Sequence, residues 1–210
     1  MKLIVRALTA AVLAATAHAQ FAVRTVDAPG AGTILDINQA ESLLGSQPAV
    51  GSGQFATINF VGGGSDGSFP GGVSFPGGLG GTDDFALEAV GALIFTPGTY
   101  IFRVNSDDGF RLSMAGDLYS EFVGLRGPIS TDGPAITIPS GVVGYSSFRL
   151  TYFEHIGGEE IEFSYSRNGG PQQLVGTGEI TVQQVPEPSS LALLGLALAR
   201  FAGRRRGISG

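Results

Sequence analysis

The residues with the clearest capacity for chemistry are Asp107 and Asp108, adjacent in the segment Ser106-Asp107-Asp108-Gly109. Neighbouring carboxylates in a turn are hard oxygen donors of the kind that hold a divalent cation, and calcium takes six to eight such oxygens. The same tetrapeptide has a plainer reading as a hairpin turn, in which Asp tolerates unusual backbone conformations and Gly109 supplies a positive φ. On the turn reading, Asp108→Asn changes nothing in the response to calcium. On the cation reading, it abolishes most of that response and leaves the fold intact. Composition excludes other chemistries. The chain has no cysteine, so disulfides, thiolate zinc sites and cysteine nucleophiles are ruled out. His155 alone cannot build a multi-histidine metal site, and no G-x-S-x-G elbow accompanies it. A glycosidase would need two carboxylates at a working separation, and no separate catalytic domain accompanies the segment. A non-catalytic protein is expected.

The two ends read as sorting signals. Lys2 and Arg6 precede an apolar stretch over 7–17, and Ala17-His18-Ala19 offers the small-x-small pattern of signal peptidase, with cleavage before Gln20. The apolar stretch is too short to span a bilayer. At the other end, Pro186-Glu187-Pro188 excludes helix, an apolar helix former covers 191–199, and Arg200 is followed by Arg204-Arg205-Arg206. The basic end of such a segment stays in the cytoplasm. This tail, over 185–206, resembles the PEP-CTERM sorting signal. The resemblance implies transient inner-membrane anchoring by a short hydrophobic helix, cleavage near the motif by an exosortase, and delivery to the cell surface or extracellular matrix. Arg200 interrupts the apolar run and leaves it shorter than the ~20 residues of a comfortable span, so the anchor is expected to be short-lived.

Removing both ends leaves about 165 residues, enough for one domain with a sizeable core. That portion carries six basic and seventeen acidic residues and no lysine. Such a surface repels nucleic acid and tolerates divalent cations; no nucleic-acid partner is expected.

The elements that must position the aspartates are strands. A strand is expected over 20–26 and a turn at Pro29-Gly30. Asp36 caps a helix over 37–44, with Gln39 completing a capping box and Ile37, Ala40, Leu43 and Leu44 on one face. Ten of the twenty residues over 62–81 are glycine, which predicts a long flexible loop or wide hairpin; without the G-K-[ST] ending it is no phosphate loop. From Phe85 onward the period is two. Phe85, Leu87, Ala89, Gly91, Leu93 and Phe95 share a face, as do Tyr100, Phe102 and Val104. Phe110, Leu112 and Met114 follow, then Phe148, Leu150 and Tyr152, and Ile161, Phe163 and Tyr165. Short strands with turn signals about every ten residues indicate an all-β antiparallel sandwich or barrel; the architecture expected is the sandwich, jelly-roll-like, with one short helix. The division expected is a signal peptide over 1–19, an N-terminal part of the β domain over 20–84, a sandwich core over 85–182 and the tail.

The stretch GTYIFRVNSDDGFRLSMAG (98–116), the Arg126-Gly127-Pro128 loop and FRLTYFEHIGGEEIEFSY (148–165) resemble the protective-antigen N-terminal-fragment domain family. The resemblance is convincing over 85–174 and loose over 21–81. It implies a β-sandwich whose usual role is carbohydrate binding in exported proteins. In calcium-dependent lectin members the paired aspartates hold a calcium ion that ligates sugar hydroxyls; Asp107 and Asp108 occupy that position, with Asn105 as a further contributor. Gly157-Gly158-Glu159-Glu160 is the expected second ligand loop, and Tyr119, Phe122 and His155 are candidates for stacking on a sugar. Three functions stand beside one another: a glycan or exopolysaccharide binder, a structural or adhesion matrix protein with the aspartates as turn formers, and, least favoured, a glycosidase.

Overall fold

The computed structural model describes residues 20–28 and 33–183. The signal peptide with Ala17 and Ala19, the Pro29-Gly30 turn, and the tail with Pro186, Glu187, Pro188 and Arg204 to Arg206 lie outside the described residues. No helix among the described residues is long and apolar enough to cross a membrane.

Thirteen strands and one α-helix are described: β1 (Phe21–Asp27), α1 (Ile37–Ser46), β2 (Gly51–Phe55), β3 (Asn59–Gly62), β4 (Phe85–Phe95), β5 (Gly98–Asp107), β6 (Phe110–Met114), β7 (Asp117–Phe122), β8 (Ile129–Asp132), β9 (Ile136–Ile138), β10 (Gly144–Glu154), β11 (Glu159–Arg167), β12 (Gln173–Leu174) and β13 (Thr181–Gln183). One sheet runs β2-β1-β4-β10-β6-β7, with β13 on the far end of β4; the other runs β12-β11-β5-β8, with β3 on β11 and β9 on β5. Every pairing between named strands is antiparallel.

The period-two faces meet between the sheets. The apolar residues of β4, β5, β6, β10 and β11 named above, Gly91 apart, fall in one buried cluster. Aromatic rings dominate its centre: Phe102 stacks on Phe163 with centroids 5.6 Å apart, and Phe75 on Tyr152 at 5.6 Å. Gly91 interrupts the apolar face because a Cβ there would stand 2.8 Å from the Phe148 ring.

Helix α1 starts where the capping residue predicts. Asp36 Oδ1 accepts the N–H groups of Asn38 and Gln39, and Gln39 Oε1 accepts that of Leu35. Ile37, Ala40 and Leu44 pack with Val26, Ala86 and Phe153 on the outer face of the first sheet. Around this contact Glu41 pairs with Arg111 and Arg149, and Glu88 with Arg24 and Arg149.

Two expectations require correction. The glycine-rich loop over 62–81 is pinned rather than free. Phe75 and Leu79 enter the core, Val73 bridges Phe60, and Ser65, Ser68 and Phe69 are bonded to Glu160 and Glu162 on the outer face of the second sheet. The Asp107-Asp108 turn is not a hairpin: β5 belongs to the second sheet and β6 to the first, and the connections before β5 and β11 likewise cross between the sheets. Gly109 accordingly does not adopt a positive φ. It is glycine because a Cβ would meet Phe153 Cε1 at 2.5 Å and the carbonyl oxygens of Phe122 and Gly124 at 2.8 Å. Alternation fixes which face of a strand is buried, not which strand lies beside it.

Candidate functional site

Two of the crossovers between sheets lie at the same end of the sandwich. Residues 107–110 carry the chain from β5 to β6, and residues 154–159 from β10 to β11. The register brings them together, since Glu160 pairs with Asp107 across β11 and β5, and Tyr152 with Phe110 across β10 and β6. Asp107, Asp108 and Glu154 each offer a carboxylate oxygen there, all within 4.8 Å of one another. The peptide bond joining the aspartates is cis.

The three carboxylates are held differently. Asp108, 5% exposed, accepts the backbone N–H of Arg126 on Oδ1 and that of His155 on Oδ2, each at 2.9 Å. It ties together the loops on either side of the crossover. Asp107 is half-buried; Tyr152 donates its hydroxyl to the Asp107 carbonyl and lies 3.2 Å from Glu154 Oε2. Glu154 is fully buried, and its Oε1 has no hydrogen-bond partner. A buried carboxylate oxygen without a partner is rare and calls for a missing proton or cation.

The electrostatics follow from crowding. Burial, Asp108 and Glu160 push the Asp107 carboxyl up to about 6. Burial, Asp108 and Asp107 push Glu154 up to about 9. Asp108 is also raised by burial, against which the two backbone N–H groups pull it down. The nearby cation is Arg126, whose guanidinium lies 4.6 Å from the Phe122 ring centroid and 5.2 Å from that of Phe110. It bonds Ser106 Oγ and Thr131 Oγ1, and burial brings it down to about 10. The donor set of three hard oxygen groups, one with an orphaned buried atom, fits a divalent cation.

Asn105 takes no part in this cluster. Its side-chain amide contacts Ser68 Oγ, Glu160 Oε1 and Glu162 Oε2 beneath the glycine-rich loop. The loop Gly157-Gly158-Glu159-Glu160 borders the cluster, but its carboxylates serve the glycine-rich segment. Glu159 Oε1 accepts the N–H of Gly81, Glu160 Oε2 the hydroxyl of Ser65, and Glu162 the N–H groups of Ser68 and Phe69. Tyr119 packs edge-on against Phe102 and bonds the backbone at Phe102 and Pro134, Phe122 lies against Arg126, and His155 Nδ1 pairs with Asp84 Oδ1 at 2.8 Å. Each of the three thus has a partner within the fold. Glu154 is the member of the acidic cluster that is not among the residues expected from the sequence. Its signal was a lone carboxylate closing the buried run of β10.

The described residues thus form an antiparallel β-sandwich with a candidate site at the end where two crossovers gather acidic groups. The fold is similar to the PA14 domain of the antifreeze protein MpAFP, with a TM-score of 0.61 and 16% identity over 81% of this chain and 93% of that one. It is similar to the PA14 sugar-binding domain of an RTX adhesin, with a TM-score of 0.58 and 19% identity over 75% and 95%. A subtype-switched A domain of epithelial adhesin 9 from Candida glabrata, in complex with β-lactose, gives a TM-score of 0.56 and 9% identity over 80% and 90%. The sandwich therefore has the PA14 fold. The family model of the PEP-CTERM protein-sorting motif matches residues 184–206, which marks an exported protein sorted by way of the membrane. No curated protein matches the chain.

Proposed function

We propose that this chain is a surface- or matrix-associated glycan-binding protein, without catalytic activity, whose end site works through calcium held by Asp107, Asp108 and Glu154. The observation that carries the reading is the buried, unpartnered Glu154 Oε1 beside two further carboxylates. Calcium, when bound, would offer its free coordination positions to vicinal hydroxyls of a sugar. Asp108 is pre-oriented by two backbone N–H groups, Glu154 would supply a fully buried carboxylate, and Asp107 a half-buried one. The sugar-binding RTX-adhesin domain and the lactose-bound adhesin support a carbohydrate ligand by analogy of fold alone. Exopolysaccharide is the natural partner for a protein delivered to the surface after signal peptidase cuts before Gln20 and exosortase cuts near Pro186-Glu187-Pro188.

One observation favours a structural role instead: Asp108 ties two loops through backbone N–H groups and would be retained for that alone. A glycan array, run with calcium and with chelator, separates the two. Calcium-dependent binding of any glycan supports the lectin reading. Absence of binding together with absence of a calcium-induced rise in melting temperature supports the structural one.

A further inference from the structure

Beside the acidic cluster, the outer face of the second sheet carries a groove of about 570 Å³. Its floor is Asn105 and Glu160, both buried. The glycine-rich loop forms one wall through Ser65, Asp66 and Ser68, and the start of β8 forms the other through Ile129 and Ser130. The groove adjoins the end site, because Glu160 on its floor pairs directly with Asp107, one strand spacing of roughly 4.8 Å away.

We infer that this groove is a second saccharide subsite, which takes the neighbouring ring of a neutral glycan whose first ring occupies the end site. The inference rests on the glycan-binding reading above and extends it to a substrate class. The lining holds hydroxyls, an amide and carboxylates, and no cationic side chain. A uronate, sulfate or phosphate would meet Asp66 and Glu160 without a compensating charge. A neutral sugar meets complementary groups. Ser65 donates its hydroxyl hydrogen to Glu160 at 2.6 Å, which leaves its oxygen to accept. Ser68 Oγ accepts from Asn105 at 2.9 Å, which frees its own hydrogen to donate into the groove. Asp66, exposed on the wall, accepts a sugar O–H, and Ile129, 57% exposed, offers an apolar surface to the C–H face of a ring. The glycine-rich loop is thereby assigned a role: Glu159, Glu160 and Glu162 hold it down so that its hydroxyls face β8.

The test is calorimetry on the protein purified from its host. Galactose, glucose, mannose and fucose are compared with lactose, cellobiose and maltose, and with digalacturonate, in calcium and in EGTA. The expected result is a neutral disaccharide binding about tenfold tighter than its terminal monosaccharide, equivalent to about 1.4 kcal/mol, with digalacturonate not bound. Ser130→Tyr, which fills the groove from an exposed edge, should erase that gain and leave monosaccharide binding and the calcium response of melting unchanged. Asp66→Ala should lose part of the gain. If disaccharides bind no tighter, if the gain survives Ser130→Tyr, or if digalacturonate binds as well, the groove is not this subsite, whereas calcium-dependent monosaccharide binding would still stand. A disaccharide gain that persists in EGTA supports the groove and overturns the calcium reading. Failure of every sugar in both buffers overturns both.

Discussion

Asp108 Oδ2 accepts the backbone N–H of His155 at 2.9 Å, while its Oδ1 accepts that of Arg126 at the same distance. Both carboxylate oxygens are therefore committed to N–H donors. Asn at this position would present an NH2 group to one of them, so Asp108→Asn is not the neutral substitution that its shape suggests. It should destabilise the fold by about 1–3 kcal/mol through the donor left unsatisfied. Asp107 lacks such bonds, and Asp107→Asn is the cleaner probe. It should preserve the cation-free melting temperature or raise it slightly, and remove most of the calcium response. At a hundredfold excess over the dissociation constant that response is about 2.7 kcal/mol, roughly 5–10 °C for a domain of this size. Thermal unfolding of both variants with calcium and with EGTA checks the contrast; equal calcium shifts in wild type and Asp107→Asn would remove Asp107 from the site.

Gly109 makes a sharper steric prediction. A Cβ there would stand 2.5 Å from the Phe153 ring and 2.8 Å from two carbonyl oxygens, and backbone cannot retreat as a side-chain tip can. Gly109→Ala should lose about 1–3 kcal/mol. Gly124→Ala, which opens onto free space, should be close to neutral. Urea denaturation of the pair measures this directly, and equal midpoints would contradict the packing at the crossover.

How far the sequence reveals this site is clear from the same residues. The alternation of Tyr100, Phe102 and Val104 with Arg103 and Asn105 shows which side of β5 faces the core, because burial of one face is a local pattern. Asp36 and Gln39 mark the start of α1 for an equally local reason. The destination of the chain after Asp108 is not local: alternation is the same whether β6 returns beside β5 or crosses to the opposite sheet. Glu154 was hidden for that reason, since only the crossover sets it against Asp107 and Asp108. Asn105 misled because it does share the outer face with Asp107. The glycine-rich loop, earlier in the chain, reaches it through Ser68, and its amide is otherwise taken up by Glu160 and Glu162.

The tail carries its own prediction. Residues 184–206 match the sorting motif, so in a host that possesses exosortase the mature protein should end before Leu191. Intact-mass measurement of material recovered from the cell surface tests this; full-length protein retaining Arg204 to Arg206 would contradict processing at the motif.

Arg126 is the resident positive charge of the end site. Its guanidinium sits against Phe110 and Phe122, and Asp107 and Asp108 both act to stabilise its charge. It is therefore a competitor for any cation arriving at those carboxylates. Arg126→Gln should raise calcium affinity several-fold, on the order of 1 kcal/mol for one charge removed in a partly screened site. It should lower cation-free stability, because the stacking and the bonds to Ser106 and Thr131 are lost. Titration calorimetry reads the affinity, and an unchanged or weaker dissociation constant would show that the guanidinium does not oppose the ion.

The pH dependence follows from the sign of the carboxyl shifts. Asp107 is raised from 3.8 to about 6 and Glu154 from 4.5 to about 9. The folded protein thus binds more protons than the unfolded chain across that interval. The stabilisation from these protonated groups is complete below their unfolded values and is lost as pH climbs through the folded ones. Glu160 and Glu159 are raised as well and act in the same direction. Glu88 and Asp132 are lowered, so their stabilisation is lost only on acidification below about pH 4.5, below the range from pH 5 to pH 8. Without a divalent cation, the protein should melt several degrees lower at pH 8 than at pH 5. Calcium should reverse the trend, because the ion replaces the protons that Asp107 and Glu154 otherwise retain. Its affinity should increase from pH 5 to pH 8, and binding should release protons to the buffer. Melting curves at pH 5, 6.5 and 8, with calcium and with EGTA, measure both slopes. A calcium shift independent of pH would mean that the ion, if bound, is held elsewhere. Cation-free stability rising towards pH 8 would mean that Asp107 and Glu154 are not crowded as the fold places them.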